Sequence, residues 1–505
     1  MSAPRQHTVV IVGAGPTGIA GATLLAQYGI ATLVLDRWDG VYPQPRAVHL
    51  DDEVFRIVNR LGIGAEFAGI SRPALGLRLL DPQLKVLSEF RRDPAQSRNG
   101  YPQANMFDQP EFEALLRANL LRYPLVTLRG NAEVTDIDEL SGGRSRITFT
   151  DRGDGSRHIV DTDYLLGCDG ANSLVRRRIG AAMTDLRFEQ RWLVIDVASS
   201  VDLDQWEGVH QVCNTRRAGT FMQIGDVRYR WEFRLLPGET ADDFSTVAAL
   251  RPLIAPWTTH ADDSQLEIIR VAEYTFRAQI ADIWRRGNTF LLGDAAHLTP
   301  PFVGQGMGAG LRDATNLSWK LAGVLNGTLS PSVLDTYQQE RKPHARRLID
   351  LALTVGRAMT SGGRFGDLVR RTMVPRLHLL PGMRDKVLDS TTPPLPRSAL
   401  VHKTRAPRQL AGTLCPNTVI DSGQRLDSIL GTGFAVVCAH PLTPGEQTAI
   451  TDRGAVVHIA ESGGELAAWM ASGNARAALI RPDRTVMRAG RNVAEVCRAL
   501  PTALP

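Results

Sequence analysis

The feature that constrains this chain most stands close to its start. Thr8-Val-Val-Ile-Val12 is a continuous apolar run rich in β-branched residues, the pattern of a strand buried on both faces of a parallel sheet. Gly13-Ala-Gly-Pro-Thr-Gly18 follows, then an Ala/Leu-rich helical stretch to about Tyr28. Ala31-Thr-Leu-Val-Leu35 reads as a second buried strand and ends at Asp36-Arg37. Strand, helix and strand within so short a segment make a βαβ unit. Each glycine has a job in it: Gly13 for the tight turn, Gly15 for close approach of backbone to a pyrophosphate, Gly18 for close packing of helix on strand. The helix N-terminus holds the phosphate charge, and Asp36 is placed to accept from a ribose. The unit predicts a dinucleotide, with FAD and NAD equally open at this point.

The same stretch has no charged residue from Thr8 to Leu35, which on length alone is enough for a membrane span. Its glycines, Pro16 and strand-like first third argue against one, and neither a basic start nor an unbroken apolar run marks a signal peptide. A protein free of the membrane is expected.

A second glycine region narrows the dinucleotide. Asn288-Thr-Phe-Leu-Leu292 reads as a strand, followed by Gly293-Asp294-Ala-Ala-His297 and then Pro300-Pro301-Phe-Val-Gly304-Gln305-Gly306-Met307-Gly308. A helix is predicted from about Ala309 to Leu325. An acid at a strand end, then a glycine-rich loop opening a helix, suits a sugar chain followed by the polar edge of a ring. Between the two units lies Asp163-Tyr-Leu-Leu-Gly-Cys168-Asp169-Gly170, a strand, with a short helix expected over Asn172 to Ile179. No second G-x-G-x-x-G unit of comparable quality follows, so a separate nicotinamide domain is not expected.

These three motifs, in this order, resemble the single-component FAD-dependent aromatic hydroxylases over roughly residues 8–370. Within that family, several stretches are closest to the members that act on 3-(3-hydroxyphenyl)propionate. They are Pro45-Arg46-Ala47 leading into Asp51-Asp52-Glu53, Trp231-Glu232-Phe233 with Pro237-Gly-Glu-Thr240, and Leu334-Asp-Thr-Tyr-Gln-Gln-Glu-Arg341. The resemblance implies that Gly13, Gly15 and Gly18 hold the FAD pyrophosphate, Asp36 the adenosine ribose and Arg37 the adenine neighbourhood. It implies contacts from Arg46 and Gln109 to the phosphate–ribityl portion and from Gly293-Asp294 to the ribityl chain or the pyrophosphate side. It places Gly304, Gln305, Gly306, Met307 and Gly308 at the flavin's pyrimidine edge, where a positive helix end stabilises reduced flavin. Asp169-Gly170 is the family's segment linked to both FAD and the nicotinamide nucleotide. Many relatives carry Asn where Gly308 stands; glycine keeps the backbone donor. By the same resemblance NADH or NADPH binds transiently and reduces the FAD, oxygen adds at flavin C4a, and the hydroperoxide transfers a hydroxyl to a phenolic ring.

The chain's 505 residues exceed one hydrophobic core. The fold class expected is an α/β FAD-binding domain (Rossmann-like, doubly wound) with an inserted, mostly antiparallel β substrate domain and a C-terminal thioredoxin-like α/β domain. The boundaries expected are 1–75, 105–185 and 286–375 for the FAD-binding domain, 76–104 and 186–285 for the substrate sheet, 376–399 for a linker and 400–505 for the C-terminal domain. That last domain lacks C-x-x-C, so a structural or dimer-forming role is expected. A net charge of +5, spread as short basic pairs and triplets, gives no nucleic-acid footprint. Five scattered cysteines suit reduced thiols in the cytoplasm and no metal.

For the chemistry, a side chain must take the phenolic proton. His49, which follows Arg46, and His210 and Tyr229 on the substrate sheet are the candidates. Met222, Pro300 and Pro301 are expected to wall the pocket, His297 to stand behind it, and Arg216 or Arg217 to pair with a substrate carboxylate. The expected partners are a small aromatic substrate and molecular oxygen, with no nucleic acid and no membrane, in a monomer or homodimer. The reading is hydroxylation of a monocyclic phenol; the alternative is tailoring of a polycyclic aromatic or polyketide.

Overall fold

The computed structural model describes residues 5–42, 47–92, 97–360, 392–404 and 409–501. Arg46, and the expected linker up to residue 391, lie outside them.

The first apolar run is the centre of the molecule. Arg5–Val12 pairs in parallel with Thr32–Leu35 on one side and Arg157–Gly167 on the other, and Val9, Val10 and Ile11 are fully buried. Val126–Arg129 and Thr289–Leu291 extend this parallel layer at either side. An antiparallel ribbon, Ala132–Glu139 with Ser145–Asp151, joins the first half of Arg157–Gly167. Two helices pack together on the layer, Pro16–Gln27 and Gly306–Leu325. The second begins at Gly306 rather than Ala309, because the glycine run itself winds into its first turn.

A second eight-stranded sheet takes the chain away from this layer. Its middle strands, Met183–Ser199, Val209–Val212, Gly219–Gln223, Arg228–Arg234 and Leu266–Ala281, are antiparallel to their neighbours, and Gly76–Leu80 adds to Val209–Val212 in parallel. Alternation splits the sheet into two unlike faces. Leu193, Ile195, Val197, Phe221, Tyr229, Trp231 and Phe233 form a core with Leu250, Ile254 and Trp257. Trp192, Val194, Asp196, Thr220, Met222, Arg230 and Glu232 point the other way, toward the three-stranded sheet and the turn at Phe302. A small three-stranded sheet, His49–Asp51, Ala104–Phe107 and Ser71–Pro73, fills the space between.

Residues 392–501 form a third unit. Its sheet runs Val456–Ile459, Ala435–Cys438, Ala477–Ile480, Val486–Gly490, with the first pair parallel and the others antiparallel. This unit is tied to the rest by buried charge. Arg56, on helix Asp52–Arg60, donates to both carboxylate oxygens of Asp427 at 2.7 Å and to the Cys415 carbonyl at 2.7 Å. Glu340 accepts from Lys320 at 2.7 Å and from Arg481 at 3.0 Å, with all three side chains fully buried.

Burial alone pushes Asp427 up, but Arg56 outweighs it and holds the carboxyl at about 2. A carboxyl depressed on folding stabilises fully above its unfolded value of about 4, and that contribution is lost as pH falls toward the folded value. Hydrogen exchange in residues 415–430 is therefore expected to accelerate between pH 4 and pH 2 in the native protein. In Asp427→Asn exchange is fast throughout and lacks that step.

Candidate functional site

The site begins where the first strand stops. Gly13 has φ +104, and a Cβ there would overlap the carbonyl of Cys168, at the end of the neighbouring strand. A Cβ on Gly18 would overlap the carbonyl oxygen of Gly13, so helix Pro16–Gln27 leaves the turn with no room for any side chain. At Gly15 an added Cβ meets nothing within 4 Å. Two of the three glycines are thus required by the protein's own packing, and the third opens onto free space.

Both helix N-termini at this site are uncapped. Neither Pro16–Gln27 nor Gly306–Leu325 has a side chain capping its N-terminus, and neither carries an acid in its first turn. Their unpaired N–H groups and positive helix ends suit an anion. The two ends lie side by side: a Cβ on Gly293 would come within 2.9 Å of Thr17 Oγ1, and one on Gly310 would overlap that same oxygen. At the far end of the second strand, Asp36 accepts from the Ala14 N–H at 2.5 Å and from the Trp38 N–H at 2.8 Å. Its oxygens keep lone pairs for a ribose. The exposed Arg37 lies over the Trp38 ring, 5.3 Å from its centroid. Open space at Gly15, the bare end of Pro16–Gln27 and an acid at the strand terminus fit the pyrophosphate and ribose of FAD, and the bare end of Gly306–Leu325 fits the electron-rich edge of its ring.

The loop expected at the flavin ring is held by a buried charge network. Gln305 donates to Asp51 at 2.8 Å and accepts from Arg312 at 2.9 Å, while Arg312 also reaches Asp51 at 2.6 Å and Glu53 at 2.8 Å. Burial opposes ionisation of Asp51, but Arg312 and the Val54 N–H hold it below the ordinary carboxylate range. His49 packs against Gly304, where a Cβ would come within 2.6 Å of its Nδ1. Burial, with the charge of Arg92, pushes His49 down to about 4, so the ring is neutral at physiological pH. A Cβ on Gly308 would come within 2.8 Å of Val54 Cγ2. Val54 and Arg312 thus crowd this position, and a side chain there would have to displace one of them.

Behind the loop, Asp313 accepts from the Gly293 N–H at 3.1 Å, from His297 at 2.8 Å and from Arg341 at 2.8 Å. Asp294 is half-buried in the turn of Gly293–Ala295. Gln109 accepts from the Ala47 N–H at 2.6 Å and donates to Glu113 at 2.6 Å, which anchors the segment entering from Arg46. One hydrogen bond of this kind contributes about 1 kcal/mol. Gln109→Leu is expected to weaken FAD retention about five- to tenfold, read from the recovery of free-flavin fluorescence on dilution.

Several expected residues stand elsewhere. His210 and Tyr229 share the sheet face covered by helix Val247–Ile254, because strand alternation turns them away from the glycine loop. His210 accepts from the Trp257 indole at 3.0 Å, with burial pushing it down to about 4, and among the described residues Tyr229 hydrogen-bonds with Leu203 and Asp202. Both stand on the face turned away from Met222 and Trp192. Asp169 has both oxygens taken by its own loop: the Ser173 hydroxyl at 2.5 Å and the Leu174 and Val175 N–H groups at 2.6 and 3.1 Å. It caps a short helix, and its segment meets the glycine turn through backbone at Cys168. Arg217 is paired with Glu239, and Arg216 is exposed on the same turn.

Met222 lies on the opposite face, packed with Val48, Ala104 and Met106 of the three-stranded sheet and its entry. At the other end of that face Trp192 meets Phe302 edge-on, with centroids 5.8 Å apart, just after Pro300, which is buried, and Pro301, which is partly so. Between the two walls lie polar groups that sequence reading missed. Asp196 and Arg230 form a bidentate pair at 2.6 and 2.8 Å with side chains 1% exposed, flanked by Glu232, Arg270 and Tyr274. Charged residues alternating with Trp, Val and Phe in a buried strand were the available signal.

The comparisons with known proteins agree with this geometry. Residues 6–352 match the family described as "FAD binding domain". The 3-(3-hydroxy-phenyl)propionate/3-hydroxycinnamic acid hydroxylase 2 of Burkholderia vietnamiensis is 34% identical over 86% of this chain and 79% of its own. A hydroxylase of the same description from Mycobacterium sp. (strain JLS) is 33% identical over 98% of this chain and 91% of its own. A probable NADH-specific resorcinol 4-hydroxylase of Rhodococcus jostii is 32% identical over 97% and 93%. Among solved structures, aklavinone-11 hydroxylase with FAD and aklavinone superposes with a TM-score of 0.80 at 22% identity, over 99% of this chain and 100% of that one. Among the described residues no helix is long and apolar enough to cross a membrane, and no group of side chains could hold a metal ion. A parallel layer built around the glycine turn, a second sheet turned over it, and relatives at a third identity along nearly the whole length lead to one conclusion: the chain belongs to the FAD-dependent aromatic hydroxylases, enzymes of the monooxygenase class.

Proposed function

We propose that this enzyme uses NAD(P)H and molecular oxygen to hydroxylate a monocyclic phenol of the 3-(3-hydroxyphenyl)propionate or resorcinol kind. The observation that carries the reading is the enclosed sheet face between Met222 and Trp192. Met222 stands in the cross-strand row of Arg230 and Trp192 in that of Arg234, two strands apart across the sheet and four residues apart along it, so they bound the face at opposite corners roughly 16 Å apart. Relatives at a third identity are named for one-ring phenols, while the polycyclic-binding neighbour, at 22% identity, speaks to the fold alone.

Bound FAD supplies the electron transfer and the oxygen chemistry. The protein's share is placement and proton handling. Gly15 and the first-turn N–H groups of helix Pro16–Gln27 would hold the phosphate charge, and Asp36 the ribose. Gln305, locked by Asp51 and Arg312, would hold the first turn of Gly306–Leu325 in place for the ring edge. His49, neutral and packed on Gly304, shapes the loop without adding charge. Trp192, Phe302 and Met222 exclude water on either side of the substrate. The division expected from the sequence, with an inserted substrate sheet and a thioredoxin-like C-terminal unit, belongs to the same proposal. The strand order of residues 435–490 supports its last part, and the absence of C-x-x-C supports a structural role for that unit. We further assign the enzyme to the cytoplasm, as a monomer or homodimer with NADH or NADPH as transient reductant.

The test is NADH and NADPH consumption by the purified yellow protein with and without a phenol panel, alongside products by mass. Stimulation by 3-(3-hydroxyphenyl)propionate or resorcinol, with a product heavier by one oxygen, is the expected outcome. Stimulation by large polycyclic phenols alone would transfer the assignment to the tailoring class, and silence across the panel would end it.

A further inference from the structure

The phenolic substrate needs a proton acceptor, and neither His210 nor Tyr229 reaches the face where it would sit. Among the described residues that face offers one acidic side chain without a hydrogen bond. Glu232 lies on Arg228–Arg234 between two rows of cross-strand neighbours. One row is Asp196, Arg230 and Met222, and the other is Trp192 and Arg234. Glu232 itself stands opposite Val194 and Thr220. The first row meets the segment entering the three-stranded sheet through Met222 on Val48, the residue before His49. The second meets the glycine loop through Trp192 on Phe302, two residues before Gly304. His49 and Gly304 touch each other, so the two walls and the glycine loop close around the middle of the face. Glu232 occupies that middle.

Its neighbours are otherwise engaged. Arg230 is committed to Asp196 through two hydrogen bonds, and Arg270 donates to Tyr274 at 2.5 Å. Glu232 is 9% exposed and makes no hydrogen bond or ion pair among the described residues. A buried carboxyl left without partners costs free energy unless a ligand supplies them. Burial raises its carboxyl above the ordinary range; Asp196 adds to that, while Arg230 and Arg270 work against it. The raised value narrows the gap to a phenol, as proton transfer requires.

We propose that Glu232 receives the hydroxyl proton of the phenolic substrate. This rests on the phenol-hydroxylase reading above. The phenolic O–H donates to a Glu232 oxygen. As the ring becomes electron-rich for attack, the O–H bond breaks, its electron pair stays on the ring oxygen, and the proton passes to the carboxylate. The Asp196–Arg230 pair, which carries no net charge, fixes the strand beside it.

The experiment uses the FAD-loaded full chain with 3-(3-hydroxyphenyl)propionate and its O-methyl ether, which keeps the shape but has no proton to give. Binding is read from the flavin absorbance change and turnover from hydroxylated product. In the native enzyme the phenol is expected to bind about tenfold or more tightly than the ether. In Glu232→Gln that preference should collapse and kcat should fall by about a hundredfold, with FAD content unchanged. Glu232→Asp, which keeps the carboxylate one methylene back, should recover part of kcat. The proposal is overturned if Glu232→Gln keeps the native preference and kcat, if it changes KM alone, or if it cannot retain FAD. A native enzyme that binds and turns over no phenol overturns the phenol reading itself, and this assignment with it; that result is separable because it appears before any substitution is made.

Discussion

Gly15→Ala is expected to give a folded protein that has lost its flavin. At Gly15 the backbone has φ −72, which any residue adopts, and an added Cβ meets nothing within 4 Å. The apoprotein should therefore melt at its native temperature or slightly above it, since alanine restricts the unfolded chain more than glycine does. The new methyl would fill the open space through which the backbone approaches a pyrophosphate, and FAD affinity should fall by at least tenfold. Gly18→Val should behave in the opposite way. Its Cβ would overlap the Gly13 carbonyl oxygen, an atom of backbone rather than the end of a mobile side chain. Strand and helix would have to part, at a cost of ~3 kcal/mol or more, and soluble protein should be scarce with or without FAD. Calorimetry of the apoproteins beside flavin titration reads both effects. A Gly15→Ala variant that binds FAD normally would show that the pyrophosphate lies elsewhere.

The second large effect is expected far from the flavin, at Glu340→Ala. Glu340 holds Lys320 and Arg481 and also accepts from Asn316 at 2.9 Å and Ser398 at 2.6 Å, all within a dry contact between helix 335–360 and the C-terminal unit. Removing it leaves two buried cations with Asp483 as the remaining acid beside Arg481. Breaking one side of such a cluster costs about 3–5 kcal/mol, because the uncompensated charge stays buried. The melting temperature should drop by roughly 10 °C, and a protease should release the C-terminal unit from otherwise native protein. Lys320→Met, Glu340→Met and Arg481→Met combined with Asp483→Asn, which removes all four charges together, should recover most of the loss. If Glu340→Ala melts with the native enzyme, the cluster carries no net stability.

Much of the flavin half was legible in the residues themselves. Local rules suffice there: a β-branched run makes a buried strand, the spacing of three glycines makes the turn, and an acid eighteen residues on marks the strand end. The helix of Gly306–Leu325 and the strands at 289–291, 435–438 and 477–480 were likewise visible in short apolar runs bounded by turn residues. The substrate half was not legible in the same way. His210 and Tyr229 sit on strands as expected, but each strand has two faces, and periodicity does not say which one meets the flavin. That choice was made by helix Val247–Ile254, which claims the face carrying Trp231 and Tyr229. The same choice left Asp196, Arg230 and Glu232 facing the glycine loop, although their sequence, a charged residue at every second position of a buried strand, looks like a solvated surface.

Two further facts came from tertiary structure alone. The carboxylates of Asp51 and Asp313 stand beside Arg312 and Arg341 only because Gly306–Leu325 packs between helix 52–60 and helix 335–360. Likewise, the Arg56–Asp427 pair joins residues 371 positions apart. Sequence determines what depends on a residue and its near neighbours: glycine conformations, strand and helix periods, and with them the dinucleotide half of the fold. Which polar side chains are paired, buried and turned toward the substrate depends on contacts between distant segments, and only the packed structure decides those.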